Sequence, residues 1–131
     1  MFMSNAFDYI NVMDKAADAS WLRNEVIANN IANVDTPGYK REDIAFEEEL
    51  QKALGDSRYK SMDSKVSSVN EKLNQLNPAV VQDYDDYSYR IDKNNVDIDT
   101  ENVTLAANQL KYQGLMNCVT HEFNDLRTAM Q

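Results

Sequence analysis

Apolar residues gather towards the two ends of this chain, and the stretch between them is polar. From Asn5 to Asn33 the spacing predicts a helix. Ala6, Ile10, Ala17, Trp21 and Ala28 share one side of a 3.6-residue period, with Met13 and Ile31 at its edge. Val12, Ala19, Leu22 and Val26 share a second side, and a helix apolar on two sides has more than one neighbour. Ser4 or Asn5 can cap its start, with Asp8 in the first turn. Its stop is written at Thr36-Pro37-Gly38. A residue before proline is driven to extended geometry, and Pro-Gly supplies the two central positions of a type II turn. The helix therefore ends at Asn33 or Val34.

The next elements are shorter. Ile44 to Leu54 reads as a helix, with Phe46, Leu50, Ala53 and Leu54 at i, i+4, i+7 and i+8 and Gly55 as its stop. Asp56 to Pro78 places Val66, Val69, Leu73 and Leu76 at helical spacing among many polar residues, so a weak helix and a loop are equally compatible with it. Tyr87, Tyr89 and Ile91 alternate with Ser88 and Arg90, the pattern of a short strand. From Thr100 onward the helical signal is clearest, with Asp99 or Thr100 as cap. Leu105, Tyr112, Met116, Val119, Phe123, Leu126 and Met130 form one stripe, and from Tyr112 its steps of four and three make a heptad seam. Such a helix is about 45 Å long. The chain thus divides into residues 1–34, a helix; 35–55, the Pro-Gly turn and a short helix; 56–99, a polar middle with a possible short strand; and 100–131, a second long helix.

Charge narrows the range of functions. The net charge is −9 over 131 residues, and no basic patch offers itself to nucleic acid or to an anionic membrane surface. Residues 103–131 carry no net charge, which suits burial against a partner. No apolar run approaches the ~20 residues needed to span a bilayer. The first twenty residues include Asp8, Asp14 and Asp18 and lack the apolar stretch of a cleaved secretory signal.

Candidate chemistry is sparse. Cys118 and His121 stand at i, i+3, the spacing of a nucleophile and its base, but no third orienting group accompanies them. One cysteine forms no internal disulfide, and one histidine makes no metal cluster. Asp83, Asp85 and Asp86 lack the spacing and central glycine of a calcium loop. Glu47, Glu48 and Glu49 are consecutive, so they splay around a helix and do not face one cleft. Asn102-Val103-Thr104 is a glycosylation sequon without a secretory signal to support its use. Asn24, Asn29, Asn30 and Asn33 could hold a polar ligand, but on a two-sided helix they fit better as buried amides that set register between helices. No catalytic residue, cofactor or metal is expected.

One stretch carries a resemblance. Asn29, Asn30, Ile31, Ala32 and Asn33, followed by Asp35, Thr36, Pro37, Gly38 and Tyr39, resemble the N-terminal signature of the bacterial flagellar rod and hook axial proteins. The intact Asp-Thr-Pro-Gly-Tyr form is similar to that of a proximal rod subunit. Asn94-Asn95-Val96-Asp97 with Leu105, Ala106, Asn108, Leu110, Tyr112 and Gln113 is similar to the family's C-terminal motif. Together these cover about half the chain, at both ends and in the expected order.

The resemblance implies a mainly α fold whose two long terminal helices pair as an antiparallel coiled coil, with a small irregular or short-β middle. It implies a structural subunit of the basal-body rod, not an enzyme, assembling into a helical tube that transmits torque and surrounds the export channel. The implied partners are further copies of the chain, other proximal rod proteins, the export gate and the adaptor at the rod base, with no nucleic acid and no direct lipid binding. The implied place is the basal body within the cell envelope, reached without a cleaved signal peptide. The expected helix-packing residues are Ile10, Ala17, Trp21, Ile27 and Ile31 with Leu105, Tyr112, Met116, Val119, Phe123, Leu126 and Met130. With no third strong layer, each terminal helix is expected to keep one apolar side uncovered for a neighbour. Competing readings are a soluble coiled-coil adaptor or chaperone, another proximal rod subunit, and an enzyme built on Cys118 and His121.

Overall fold

A computed structural model describes residues 2–55, 61–82 and 96–131, with the side chains of 2–6 left aside. The fold is mainly helical with a small two-stranded sheet. Helix α1 spans Phe2–Ala32, and helix α4 spans Ile98–Ala129. Between them lie strand β1 (Glu42–Ile44), helix α2 (Glu47–Leu54), helix α3 (Met62–Glu71), a 3-10 turn (Leu73–Gln75) and strand β2 (Val80–Gln82).

The two sides of α1 do meet different neighbours. One packs along α4. The other buries Ala19 and Val26, with Val12 and Leu22 beside them, against Ile44, Phe46, Val69 and Leu76. That second side is therefore covered by the chain's own middle, contrary to the expectation that both terminal helices keep an apolar side free. For α4 the expectation stands in the single chain, where Val103 and Leu110 are 70% and 71% exposed.

The local rules behind the middle elements are plain. Ser61 caps α3 by accepting a hydrogen bond from the Ser64 amide, so Asp56 to Pro78 holds a real helix over Met62–Glu71. Val66 and Val69 give it a buried face. Polar contacts fasten its surface to α1: the Tyr9 hydroxyl donates to Asp63 at 2.7 Å, and the Asn70 amide donates to Asp8 at 2.7 Å. Helix α2 begins at Glu47 and not at Ile44, because Ile44 pairs with Val80 in the antiparallel β1–β2 ladder. Gly55, at φ 68°, ends it. Asp97, not Asp99 or Thr100, caps α4, its carboxylate accepting from both of those amides. The strand expected around Tyr87–Ile91 lies outside the described residues.

Candidate functional site

The signature stretch forms a clasp between the end of α1 and the start of α4. Helix α1 stops at Ala32, and Asn33 then organises the exit. Its side-chain amide donates to the Asn29 carbonyl at 2.8 Å, and its side-chain oxygen accepts from the Thr36 hydroxyl at 3.0 Å. The Tyr39 amide donates to the Thr36 carbonyl at 3.2 Å across Pro37-Gly38, and Gly38 sits at φ 75°. This is the geometry of a type II turn, which demands a residue tolerant of positive φ at that position. The turn sends the chain back along α1 into β1.

Asn30 is the hub. It is fully buried, at 0% exposure. Its oxygen accepts from the Tyr39 hydroxyl and from the Glu42 amide, each at 3.0 Å. Its amide nitrogen donates to the Glu42 carbonyl at 2.8 Å and to Glu101 Oε2 at 3.3 Å. One side chain thus serves both backbone groups of Glu42, as a neighbouring strand would, and also reaches across to α4. Every donor and acceptor site of the amide is used, which a buried amide requires. Glu101, 1% exposed, takes its second partner from the Arg41 guanidinium, which also contacts Asp43 at 3.3 Å. Burial lowers the Arg41 pKa, but the bond and charge of Glu101 and the nearby Asp43 outweigh it, so the net shift is upward. Burial, with the charges of Glu42 and Glu101, raises the Tyr39 pKa.

Two further links join the long helices. Asn108, 4% exposed, donates to the Ser20 carbonyl at 2.8 Å and to Asn24 Oδ1 at 2.7 Å. The rings of Trp21 and Tyr112 meet at 5.7 Å, tilted by 49°. Beside them Arg23 donates to Glu47 and to the Ile44 carbonyl, each at 2.8 Å, while Lys111 pairs with the same Glu47. Burial and then the charge of Arg23 lower the Lys111 pKa.

Of the expected packing residues, Ile10, Ala17 and Ile27 are buried, and Ile31, Leu105, Tyr112, Val119 and Leu126 are half-buried. Trp21, Met116, Phe123 and Met130 are exposed, at 56%, 41%, 52% and 69%. The covered stripe of α4 instead runs Glu101, Leu105, Asn108, Tyr112, Leu115, Val119, Glu122 and Leu126, again in steps of four and three. Polarity hid three of these positions from a search for apolar spacing. Within the signature, Asn30 is buried, and Ile31, Asn33 and Tyr39 are half-buried. Asn29, Ala32, Asp35, Thr36, Pro37 and Gly38 face solvent. Arg41 and Glu101 are clasp residues that sequence reasoning missed, and Asn108 was expected only as part of the C-terminal motif. Nothing in their local sequence marks them as partners; only their opposite charge, or their amide on the helical stripe, could have hinted at it.

Cys118 is an exposed thiol, and exposed His121 lies 3.6 Å from Asp125. Among the described residues, no group of three or more acidic, histidine or cysteine side chains could hold a metal, and no helix is long and apolar enough to cross a membrane.

A family described as flagella basal body rod protein matches residues 15–40, the second half of α1 and the turn. The chain is 34% identical over 121 residues to the flagellar basal body rod protein FlgB of Bacillus subtilis, covering 92% of each. The chain belongs to the FlgB family of flagellar basal body rod proteins. Its similarity to the FlgB of Borrelia hermsii is 33% over 130 residues, covering 93% of this chain and 95% of that one. To the FlgB of Escherichia coli it is 33% over 116 residues, covering 83% of each. As a FlgB-family member it is a structural rod subunit of the flagellar basal body, not an enzyme.

Proposed function

We propose that the chain builds the proximal rod through its two terminal helices, which pair as an antiparallel coiled coil and pack with neighbouring subunits into a helical tube around the export channel. The clasp carries this reading. Asn30 meets Glu101 while Ser20 and Asn24 meet Asn108, so rising numbers on α1 meet falling numbers on α4. The heptad steps of the covered α4 stripe support knobs-into-holes packing. In this role the signature is a fastener: it sets the register of the pair and leads the chain into the small sheet. Residues 1–34 and 100–131 form the tube layer and 35–55 the connection, which together with the described middle residues 61–82 pads α1.

The neighbours in this reading are other copies, the other proximal rod proteins, the export gate and the rod-base adaptor. The exposed Met116, Phe123 and Met130 are the residues offered to them. The subunit acts in the cell envelope as a torque-bearing part of the basal body. Phe123→Asp tests the reading. Phe123 is exposed, so the monomer folds, but the charge spoils an apolar contact. We expect intact helicity with loss of motility and of complete basal bodies; normal motility overturns the proposal.

A further inference from the structure

The α1–α4 pair has two unlike edges. On a helical wheel of α4, Leu115 borders the covered stripe on one side with Lys111 beyond it, and Tyr112 borders it on the other with Met116 and Phe123 alongside. On α1 the matching division puts Ala16, Ala19 and Arg23 on the first edge and Phe7, Trp21, Asp14, Asp18 and Glu25 on the second. The contacts agree: Arg23 and Lys111 share Glu47 on one edge, while Trp21 meets Tyr112 on the other.

The first edge is a groove. Its volume is about 310 Å³, and its floor is Ala16, Ala19, Leu50, Leu54 and Leu115, with Arg23, Lys111 and the Glu47 they share at the rim. A cavity of about 150 Å³ holds one benzene ring, so there is room for about two aromatic side chains. The second edge is a ridge. Phe7, Trp21 and Phe123 stand 50%, 56% and 52% exposed along it. Asp14, Asp18 and Glu25 are exposed between them and form no ion pair among the described residues. The ridge is acidic and aromatic; the groove is apolar, and at its rim Arg23 and Lys111 share the single carboxylate of Glu47, so positive charge is in excess there.

We infer that the ridge of one copy docks into the groove of the next, aromatic side chains on the apolar floor and Asp18 or its acidic neighbours against Lys111 and Arg23. This rests on the rod reading and names the contact between like subunits. The two surfaces lie on opposite edges of the helix pair, so neither can fill its own partner within one chain. The contact is heterologous, and such contacts propagate without pairing off two copies.

Sedimentation of the purified full chain over a concentration series tests this with charge reversals. The wild type should gain mass continuously, with no plateau at two copies. Asp18→Lys and Lys111→Glu should each raise the concentration for association by roughly tenfold or more, through like charges facing each other. An equimolar mixture of the two variants should associate as the wild type does, because each then meets its complement. Trp21→Ser, at an exposed position, should give the same loss without touching the groove. A monomeric wild type, a plateau at two copies, unaffected variants or a mixture that fails to recover overturns the inference. The rod reading fails separately: basal bodies that persist when the gene is deleted from its host contradict it, whatever sedimentation shows.

Discussion

Glu101 is where the clasp is most vulnerable. It is 1% exposed and carries two partners, Arg41 and Asn30. Removing one member of a buried ion pair costs about 3–5 kcal/mol, mostly from the charge left behind. The two possible deletions leave different charges. Glu101→Ala strands Arg41, but that side chain is 21% exposed and keeps Asp43 at 3.3 Å, so water recovers part of the loss. The lower end, about 3 kcal/mol, is expected. Arg41→Ala strands a carboxylate with no comparable exposure, which among the described residues keeps only the Asn30 amide at 3.3 Å, and the upper end is expected, about 5 kcal/mol. Each is a large share of the roughly 5–15 kcal/mol that holds a domain. The double variant should lose less than the sum of the two, with a coupling of about 1–3 kcal/mol. Urea unfolding followed by far-ultraviolet circular dichroism measures all three. Single losses below about 1 kcal/mol, or strict additivity, would refute the buried-pair argument.

Gly38→Val should destabilise by about 1–2 kcal/mol from the positive φ alone, since no atom lies within 4 Å of an added Cβ; the same urea unfolding measures it, and an unchanged midpoint contradicts the turn assignment. Val119→Asp, half-buried on the covered stripe, should lower the melting temperature of the monomer, whereas Phe123→Asp should leave it nearly unchanged; equal effects would contradict the placement of the two residues. The Tyr39 pKa is raised above its unfolded value, so this contribution is complete below pH ~10 and is lost as pH rises through the folded value; Tyr39→Phe should flatten the alkaline loss of stability in a pH series. The last turns of α4, where Phe123 and Met130 stand exposed, should exchange amide hydrogens first in dilute monomer and become protected on assembly, as hydrogen-exchange mass spectrometry would show.

Reading the chain from its sequence worked where a local rule acts alone. Pro37-Gly38 fixes the turn because proline and glycine each restrict the backbone there, and the two apolar sides of α1 are visible because Val12, Ala19, Leu22 and Val26 repeat at helical spacing. It faltered where two segments distant in sequence decide the outcome. Ile44 belongs to a strand because Val80 pairs with it, although its own neighbourhood reads as helix. The covered stripe of α4 holds Glu101, Asn108 and Glu122, so an apolar search shifted the seam towards Met116, Phe123 and Met130. Arg41 and Glu101 stand 60 residues apart, and only the fold brings them together. Of the four asparagines read as register-setting amides, Asn24 and Asn30 do reach α4, whereas Asn29 is exposed and Asn33 bonds to Asn29 and Thr36 at the helix exit.

An image of the assembled rod, with this subunit traced in it, bears most directly on the claim that the terminal helices carry assembly. The account predicts that α1 and α4 lie side by side in the tube wall, joined at Asn30–Glu101, with Trp21 and Phe123 buried against neighbouring subunits. A wall in which those two side chains face solvent, or in which subunits meet through the middle segment alone, would contradict it.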